Sequence, residues 1–285
     1  MDVSVIIPCV KNHIKYLDDL FGALSKQTFV GEWEVILVVE GDYNGELIKK
    51  IKQYPLNTRI YFSKARNPGV NRNIALKKAK GNIIAFIDSD CIPYENWLQN
   101  LIKPINDCDG TQGIDYSYDN THLGKFLEKQ QLNFLNNSVE KGRCKFIDTR
   151  NFAIMTEALK KVGYFDENLV SSEDKDLGYR LFKSNFNIIL NKDAIVLHRW
   201  QKGSLVGFFK WGMWYGRGDY NFSQKWHNPS IISNLKSILK DVESALFWSI
   251  KALRSSDSER EVNFLFSSRQ LGVACGKLRA MLFKT

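Results

Sequence analysis

The sequence predicts an α/β fold in which a doubly wound, mostly parallel sheet is flanked by helices and followed by a helical C-terminal extension. Short apolar runs alternate with segments of helical period over the first 90 residues, the pattern of strand–helix–strand units. The runs at 3–7, 34–39 and 83–87 stop at Pro8, Glu40 and Asp88, and the last third keeps only helical periodicity. With 285 residues, 44% hydrophobic and 25% charged, the chain can bury one large core and an appendage.

In order, Val3–Ile7 is a buried strand ending at Pro8, and Tyr16, Leu17, Leu20, Phe21 and Leu24 recur at helical spacing. Glu34–Val39 and Arg59–Phe62 are the next strands, Ile74–Lys80 a helix stopped by Gly81, and Ile83–Ile87 a fourth strand. Leu123–Asn137 reads as helix, Asn151–Met155 as strand, and Thr156–Val162 as helix. Ser171-Ser172 before Glu173-Asp174 resembles a helix N-terminus. Ile188–Leu190 and Ala194–Leu197 are short strands ending at His198, and amphipathic helices are expected at 231–254 and 262–284. Ile231, Leu235, Ile238, Val242, Ala245 and Leu246 form one face of the first. The expected organisation is an α/β domain over 1–200 and a basic, aromatic-rich helical region over 201–285.

Five scattered cysteines without a C-x-x-C pair exclude a zinc ribbon and point to a reducing cytosol. No signal peptide is visible, and no stretch reaches the roughly 18–20 apolar residues of a membrane-spanning helix. The net charge is +9, and residues 201–285 hold 13 Lys/Arg against 6 Asp/Glu. Such a tail attracts anionic lipid or nucleic acid alike. Gly203–Tyr220 adds aromatic residues interleaved with Lys210 and Arg217. They suit packing across a site mouth or a bilayer interface better than stacking on single strands.

Ligands of doubly wound sheets bind beyond the carboxyl ends of the strands. Pro8-Cys9, Glu40-Gly41-Asp42 and Asp88-Ser89-Asp90 would all lie at that edge. Two carboxylates two residues apart after an apolar strand can hold a hard divalent cation that keeps positions open for phosphate. Asp and Ser also favour plain turns. Glu173-Asp174 can supply a general base, or acids that favour a helix start. His198 is a metal or diphosphate contact or a structural histidine; His13, His122 and His227 have no motif context.

The order VSVIIP, EVILVVEGD, NPGVNRNIAL, AKGNIIAFIDSD, VGYFDENL, SSEDKDLGYRL and a final His resembles the family 2 glycosyltransferases of GT-A fold over residues 2–200. The resemblance implies a nucleotide-sugar donor, Mg²⁺ or Mn²⁺, and inversion at the anomeric carbon. It implies that Pro8 and Val10 line the nucleotide pocket and that Glu40 and Asp42 contact base and ribose. It places Arg72 and Asn73 where they order the donor site, and Asp88 and Ser89 at the ribose and phosphates. Asp90 and His198 would hold the metal, and Asp174, beside Glu173, would be the catalytic base. EGDYN lacks the family's usual paired aspartates and serine.

The expected reaction is transfer of a sugar from a UDP- or GDP-sugar to a hydroxyl of a saccharide or lipid-linked acceptor. That places the chain in synthesis of envelope polysaccharide, lipid-linked oligosaccharide or glycoconjugate. A lipid-linked acceptor favours peripheral contact of the C-terminal helices with the inner face of the plasma membrane; a helical bundle packed on the core is the other reading. A sugar-phosphate nucleotidyltransferase would need a Gly-rich phosphate loop where PCVKNHIKYL stands. A nucleic-acid-binding module using the basic tail leaves the ordered acidic motifs unexplained.

Overall fold

The computed structural model describes residues 1–200 and 203–283. The chain divides into two compact units. One comprises 1–118, 127–167 and 173–199; the other comprises 119–126, 168–172 and the residues from Trp200 on. The boundary expected at residue 200 adjoins residues 201–202, which lie outside the described residues, as does residue 284 of the second expected tail helix.

The strands are β1 Val3–Cys9, β2 Trp33–Glu40, β3 Thr58–Ser63, β4 Ile83–Ile87, β5 Cys91–Pro93, β6 Gly110–Ser117, β7 Val139–Glu140, β8 Arg143–Cys144, β9 Asn151–Met155 and β10 Ile188–His198. The helices interleaved with them are α1 Leu17–Leu24, α2 Gly45–Ile51, α3 Pro68–Leu76, α4 Trp97–Ile102, α5 His122–Ser138, α6 Thr156–Val162 and α7 Glu173–Lys183. Eight strands form one sheet in the order β3-β2-β1-β4-β9-β6-β10-β5, and β7 and β8 form a separate hairpin. The ladders β1–β2, β1–β4, β2–β3 and β6–β10 are parallel. β9 runs antiparallel between β4 and β6, and β5 antiparallel to β10.

Successive side chains of a strand point to opposite faces, so the apolar runs feed two cores. Val35, Leu37 and Val39 join Val5 and Ile7 over Leu20 and Phe21 of α1 and Trp97 of α4. Ile36 and Val38 join Ile6, Ile84 and Phe86 over Leu76, Leu159 and Leu177. Each fully buried aliphatic side chain contributes about 1.5–3 kcal/mol, which is why EVILVV is committed to the sheet centre.

Three expected elements differ. The tail helix expected at 262–284 starts five residues earlier, at Asp257. The helix expected at 74–80 is α3, which starts at Pro68 and ends at Leu76. Asn67 Oδ1 accepts from the Gly69 and Val70 amides, and Pro68 occupies the first turn, where its missing N–H costs nothing. The two short strands expected at 188–197 are one strand, β10, continuous across a register shift between Leu190 and Ile195.

In the second unit, α8 (Leu205–His227), α9 (Ile231–Leu253) and α10 (Asp257–Phe283) pack together. Ser204 and Ser230 cap α8 and α9. Gly212 and Gly216 of α8 and Gly272 and Gly276 of α10 let the two backbones touch. A Cβ at any of them would fall 2.0–2.2 Å from a carbonyl oxygen of the other helix. The aromatic segment turns inward here: Trp211 and Tyr215 lie under the Arg269 guanidinium at 4.6 and 5.3 Å. Ser171 Oγ donates to the Trp214 carbonyl at 2.7 Å.

At the amino end of β2, buried Glu34 accepts from Ser4 Oγ at 2.7 Å, from the Lys80 amide at 3.0 Å, and from Arg59. Burial would raise its pKa, yet these bonds hold it below the ordinary value. Its contribution is therefore complete above the unfolded-state pKa of about 4.3 and is lost as pH falls below it. Glu34→Gln is expected to cost about 2 kcal/mol in urea unfolding at neutral pH. The difference from wild type should shrink on acidification below about pH 4.

Candidate functional site

The carboxyl ends of β1, β2, β4, β6 and β10 share one edge of the sheet, because the reversed β9 between β4 and β6 restores a common direction. Reversal also brings the residue before β9, Arg150, to that edge. After β4 the chain turns, with the Cys91 amide donating to the Asp88 carbonyl at 3.1 Å. It then runs along β10 with Cys91 opposite His198. Asp90 and His198 thereby become neighbours although 108 positions separate them in the sequence.

His198 Nε2 lies 3.5 Å from Asp90 Oδ2, and His13 Nδ1 lies 3.6 Å from the same oxygen and 3.3 Å from Ser89 Oγ. Burial works to raise the Asp90 pKa, but the facing His198 and His13 hold it well below the usual carboxylate range. One oxygen or nitrogen of Asp90 and His198 and the Cys91 sulfur lie within 4.8 Å of one another. The Cys91 thiol is pushed far up by burial, so it is a neutral neighbour. A carboxylate and an imidazole fit a hard divalent cation that keeps open positions. The thiol of Cys9, raised by burial to about 12, is likewise no nucleophile at neutral pH.

Arg150 organises the side of the cluster toward β6. It pairs with Asp148 through Nη2 at 2.6 Å and with Asp115 through Nη1 at 3.2 Å. Its Nη1 also lies 3.1 Å from His198 Nδ1. A guanidinium only donates, so Nδ1 accepts and the imidazole proton sits on Nε2, facing Asp90. Nε2 can bind a cation only when Arg150 leaves Nδ1 and the proton moves there.

Arg72 organises the other side. It is buried, and it donates from Nη1 to Glu173 Oε1 and from Nη2 to Asp88 Oδ1, both at 2.8 Å. One guanidinium thus joins the turn after β4 to the start of α7. Asn73, the neighbouring donor-site candidate, is committed to scaffolding. Its amide donates to the Phe165 carbonyl and Glu167 Oε1 at 2.9 Å and accepts from the Phe165 amide. Asp174 Oδ1 accepts from the Lys175 amide at 2.7 Å. Its close packing, next to the carboxylates of Glu173 and Asp148, holds its pKa well above the ordinary value, with Arg72 a partial offset. Ser172, just before the pair, takes a left-handed φ of 63°, a strained conformation typical of functional turns.

The nucleotide-side candidates are more open. Pro8 is half-buried in β1 and Val10 is exposed beyond it. Glu40 ends β2 with Arg66 Nε at 3.4 Å, and exposed Asp42 has Lys64 at 3.5 Å. Gly41, at φ 126°, makes the turn between them, a conformation L side chains avoid. His13, Asp115, Asp148 and Arg150 were absent from the sequence expectations. No motif marks them, and only the reversal of β9 and the turn after β1 bring them in.

Arg72→Ala should cost about 3 kcal/mol in denaturant unfolding, because two carboxylates lose their buried counter-ion. Arg72→Lys should recover only part, since an ammonium lacks the fork that reaches both.

The sequence profile of the family described as Glycosyl transferase family 2 matches residues 4–163. Glycosyltransferase AglE of Haloferax volcanii is 25% identical over 208 residues, 69% of this chain and 66% of AglE. Glycosyltransferase GlyG of Streptococcus pneumoniae is 26% identical over 223 residues, 72% of each chain. Among solved structures, the mannosyltransferase PcManGT of Pyrobaculum calidifontis in complex with GDP-Man and Mn²⁺ superposes with a TM-score of 0.70 at 14% identity, covering 97% of this chain and 86% of that one. Staphylococcus aureus TarS 1-349 in complex with UDP-GlcNAc gives 0.56 at 18% identity, covering 99% and 92%.

Proposed function

The chain belongs to glycosyl transferase family 2 and has the GT-A fold, and we propose that it moves a sugar from a UDP- or GDP-sugar to a hydroxyl acceptor, inverting the anomeric carbon. The observation that carries this reading is the Arg72 bridge, which holds Asp88, on the donor side, and Glu173, beside the candidate base, on one guanidinium. The nucleotide-sugars and Mn²⁺ in the solved neighbours support the donor class and a divalent cation.

In this reading Pro8 and Val10 flank the base, Glu40 and Asp42 meet base and ribose, and Asp88 and Ser89 face ribose and phosphates. Arg72 fixes the wall between donor and base, with Asn73 positioning the loop behind it. Asp90 and His198 would hold Mg²⁺ or Mn²⁺. When bound, the cation offsets charge gathering on the departing nucleoside diphosphate. Asp174 takes the proton of the acceptor hydroxyl as that oxygen bonds to the anomeric carbon. The bond from that carbon to the diphosphate oxygen breaks on the opposite side. A carboxylate whose pKa stands above the usual range is a stronger base than a free one.

The catalytic domain is residues 1–200, and 201–285 faces the acceptor and the membrane. The acceptor is a saccharide or lipid-linked oligosaccharide met at the cytoplasmic face of the plasma membrane, for envelope polysaccharide or glycoconjugate synthesis.

Asp174→Asn is expected to lower kcat by about 10²–10⁴ with little change in donor KM. Wild-type kcat/KM should fall on acidification along a limb above the ordinary carboxylate pKa of about 4, because the base acts only when ionised. Full turnover by the Asn variant in a radiolabelled-sugar assay would remove Asp174 from the role.

A further inference from the structure

Helix α9 carries a packed face and, about 100° round its axis, an exposed apolar one. Asn234, Ala245 and Ala252 are buried. Ser267 Oγ of α10 donates to the Ala245 carbonyl at 2.9 Å, and Lys277 of α10 pairs with Asp241 at 2.6 Å, marking the packed side. On the second face Ile231, Leu235, Leu239, Leu246, Ile250 and Leu253 are all exposed, Ile231 by 68% and Leu253 by 73%. Their spacings of three, four and seven residues put them on one stripe. The stripe runs the length of a 23-residue helix, about 33 Å at 1.5 Å per residue.

A row of cations lies along one flank of this stripe. Lys236, Lys240, Lys251 and Arg254 are exposed there, with Glu243 among them. The other carboxylate of the helix, Asp241, is on the packed side and already neutralised by Lys277. Among the described residues no helix is long and apolar enough to cross a membrane. A long apolar stripe bordered by cations, on a helix held rigidly by α10, matches in-plane insertion at an anionic lipid surface.

We infer that α9 docks this unit flat on an anionic bilayer, its Leu/Ile stripe at the acyl boundary and its basic flank against headgroup phosphates. Charge argues for lipid over a second copy of the chain. An antiparallel two-fold pairing through the stripe would set each basic row beside its own copy and repel, whereas phosphate headgroups attract it. An acceptor carried on a lipid would then be delivered within the bilayer plane; this last consequence rests on the transferase reading, while the docking does not.

The test is co-sedimentation of the full-length chain with vesicles of phosphatidylcholine, with and without phosphatidylglycerol at roughly one part in three. The wild type should bind only the anionic vesicles, and less as salt rises from about 0.1 to 0.5 M. Leu239→Glu/Leu246→Glu should lower partitioning at least tenfold with an unchanged melting temperature in the absence of lipid. Should that variant fold poorly, Lys236→Gln/Lys240→Gln/Lys251→Gln tests the same claim by weakening binding and flattening its salt dependence. Absence of wild-type binding to anionic vesicles would overturn the inference. Equal binding to neutral ones would do so too, as would a dimer in light scattering that Leu246→Glu converts to monomer. Vesicle binding needs no catalysis, so its outcome stands apart from that of the transferase assays.

Discussion

The site depends on one buried cation. Arg72 lies in the middle of α3, and its guanidinium reaches Asp88 after β4 and Glu173 at the head of α7, residues 85 positions apart. Buried Glu173 could not be placed there without a partner, because uncompensated buried charge costs several kcal/mol, and the same guanidinium fixes the half-buried Asp88. Arg72 can reach both only because α3 starts early, where Asn67 caps it and Pro68 sets the first turn. The Asn67 side chain also donates to the Glu167 carbonyl, and Asn73 clamps Phe165. The segment leading toward the candidate base is thus tied to the same helix that carries the bridge.

Topology supplies the rest. With β9 reversed between β4 and β6, the amino end of one strand meets the carboxyl ends of its neighbours. Arg150 therefore arrives beside His198 and Asp115. The result is a polar floor in which the imidazoles of His13 and His198 face Asp90, and the Arg150 guanidinium faces Asp115 and Asp148. Donors facing buried carboxylates favour their ionised form. The arrangement also couples the state of the His198 ring to where Arg150 points, since both address Nδ1.

Much of this was legible in the sequence. The runs IIAFI and EVILVV could only be buried strands, and NFAIM followed by TEALKKV matched β9 and α6 to the residue. The start of α3 was hidden because its apolar period begins at Ile74, whereas its first turn, Pro68-Gly69-Val70-Asn71, has no such period and is specified by the Asn67 cap and Pro68. β10 looked like two strands because Asn191, Lys192 and Asp193 interrupt the apolar run, and the register shift absorbs them. His13, Arg150, Asp115 and Asp148 had no local signal; strand order alone gathers them. On α9 the expected single face is divided: Ala245 is buried, while Ile231, Leu235 and Leu246 face outward. Sequence periodicity finds a stripe but not which side of it a neighbouring helix covers.

The central claim is that the edge around Asp88, Asp90 and His198 is a metal-assisted nucleotide site. Thermal unfolding of the purified chain with UDP, GDP or CDP, each with and without Mn²⁺ and repeated on Asp90→Ala, tests it most directly. Stabilisation by one nucleotide, dependent on Mn²⁺ and lost in the variant, is the result expected of this site. A well-folded chain whose midpoint moves with none of them would contradict it.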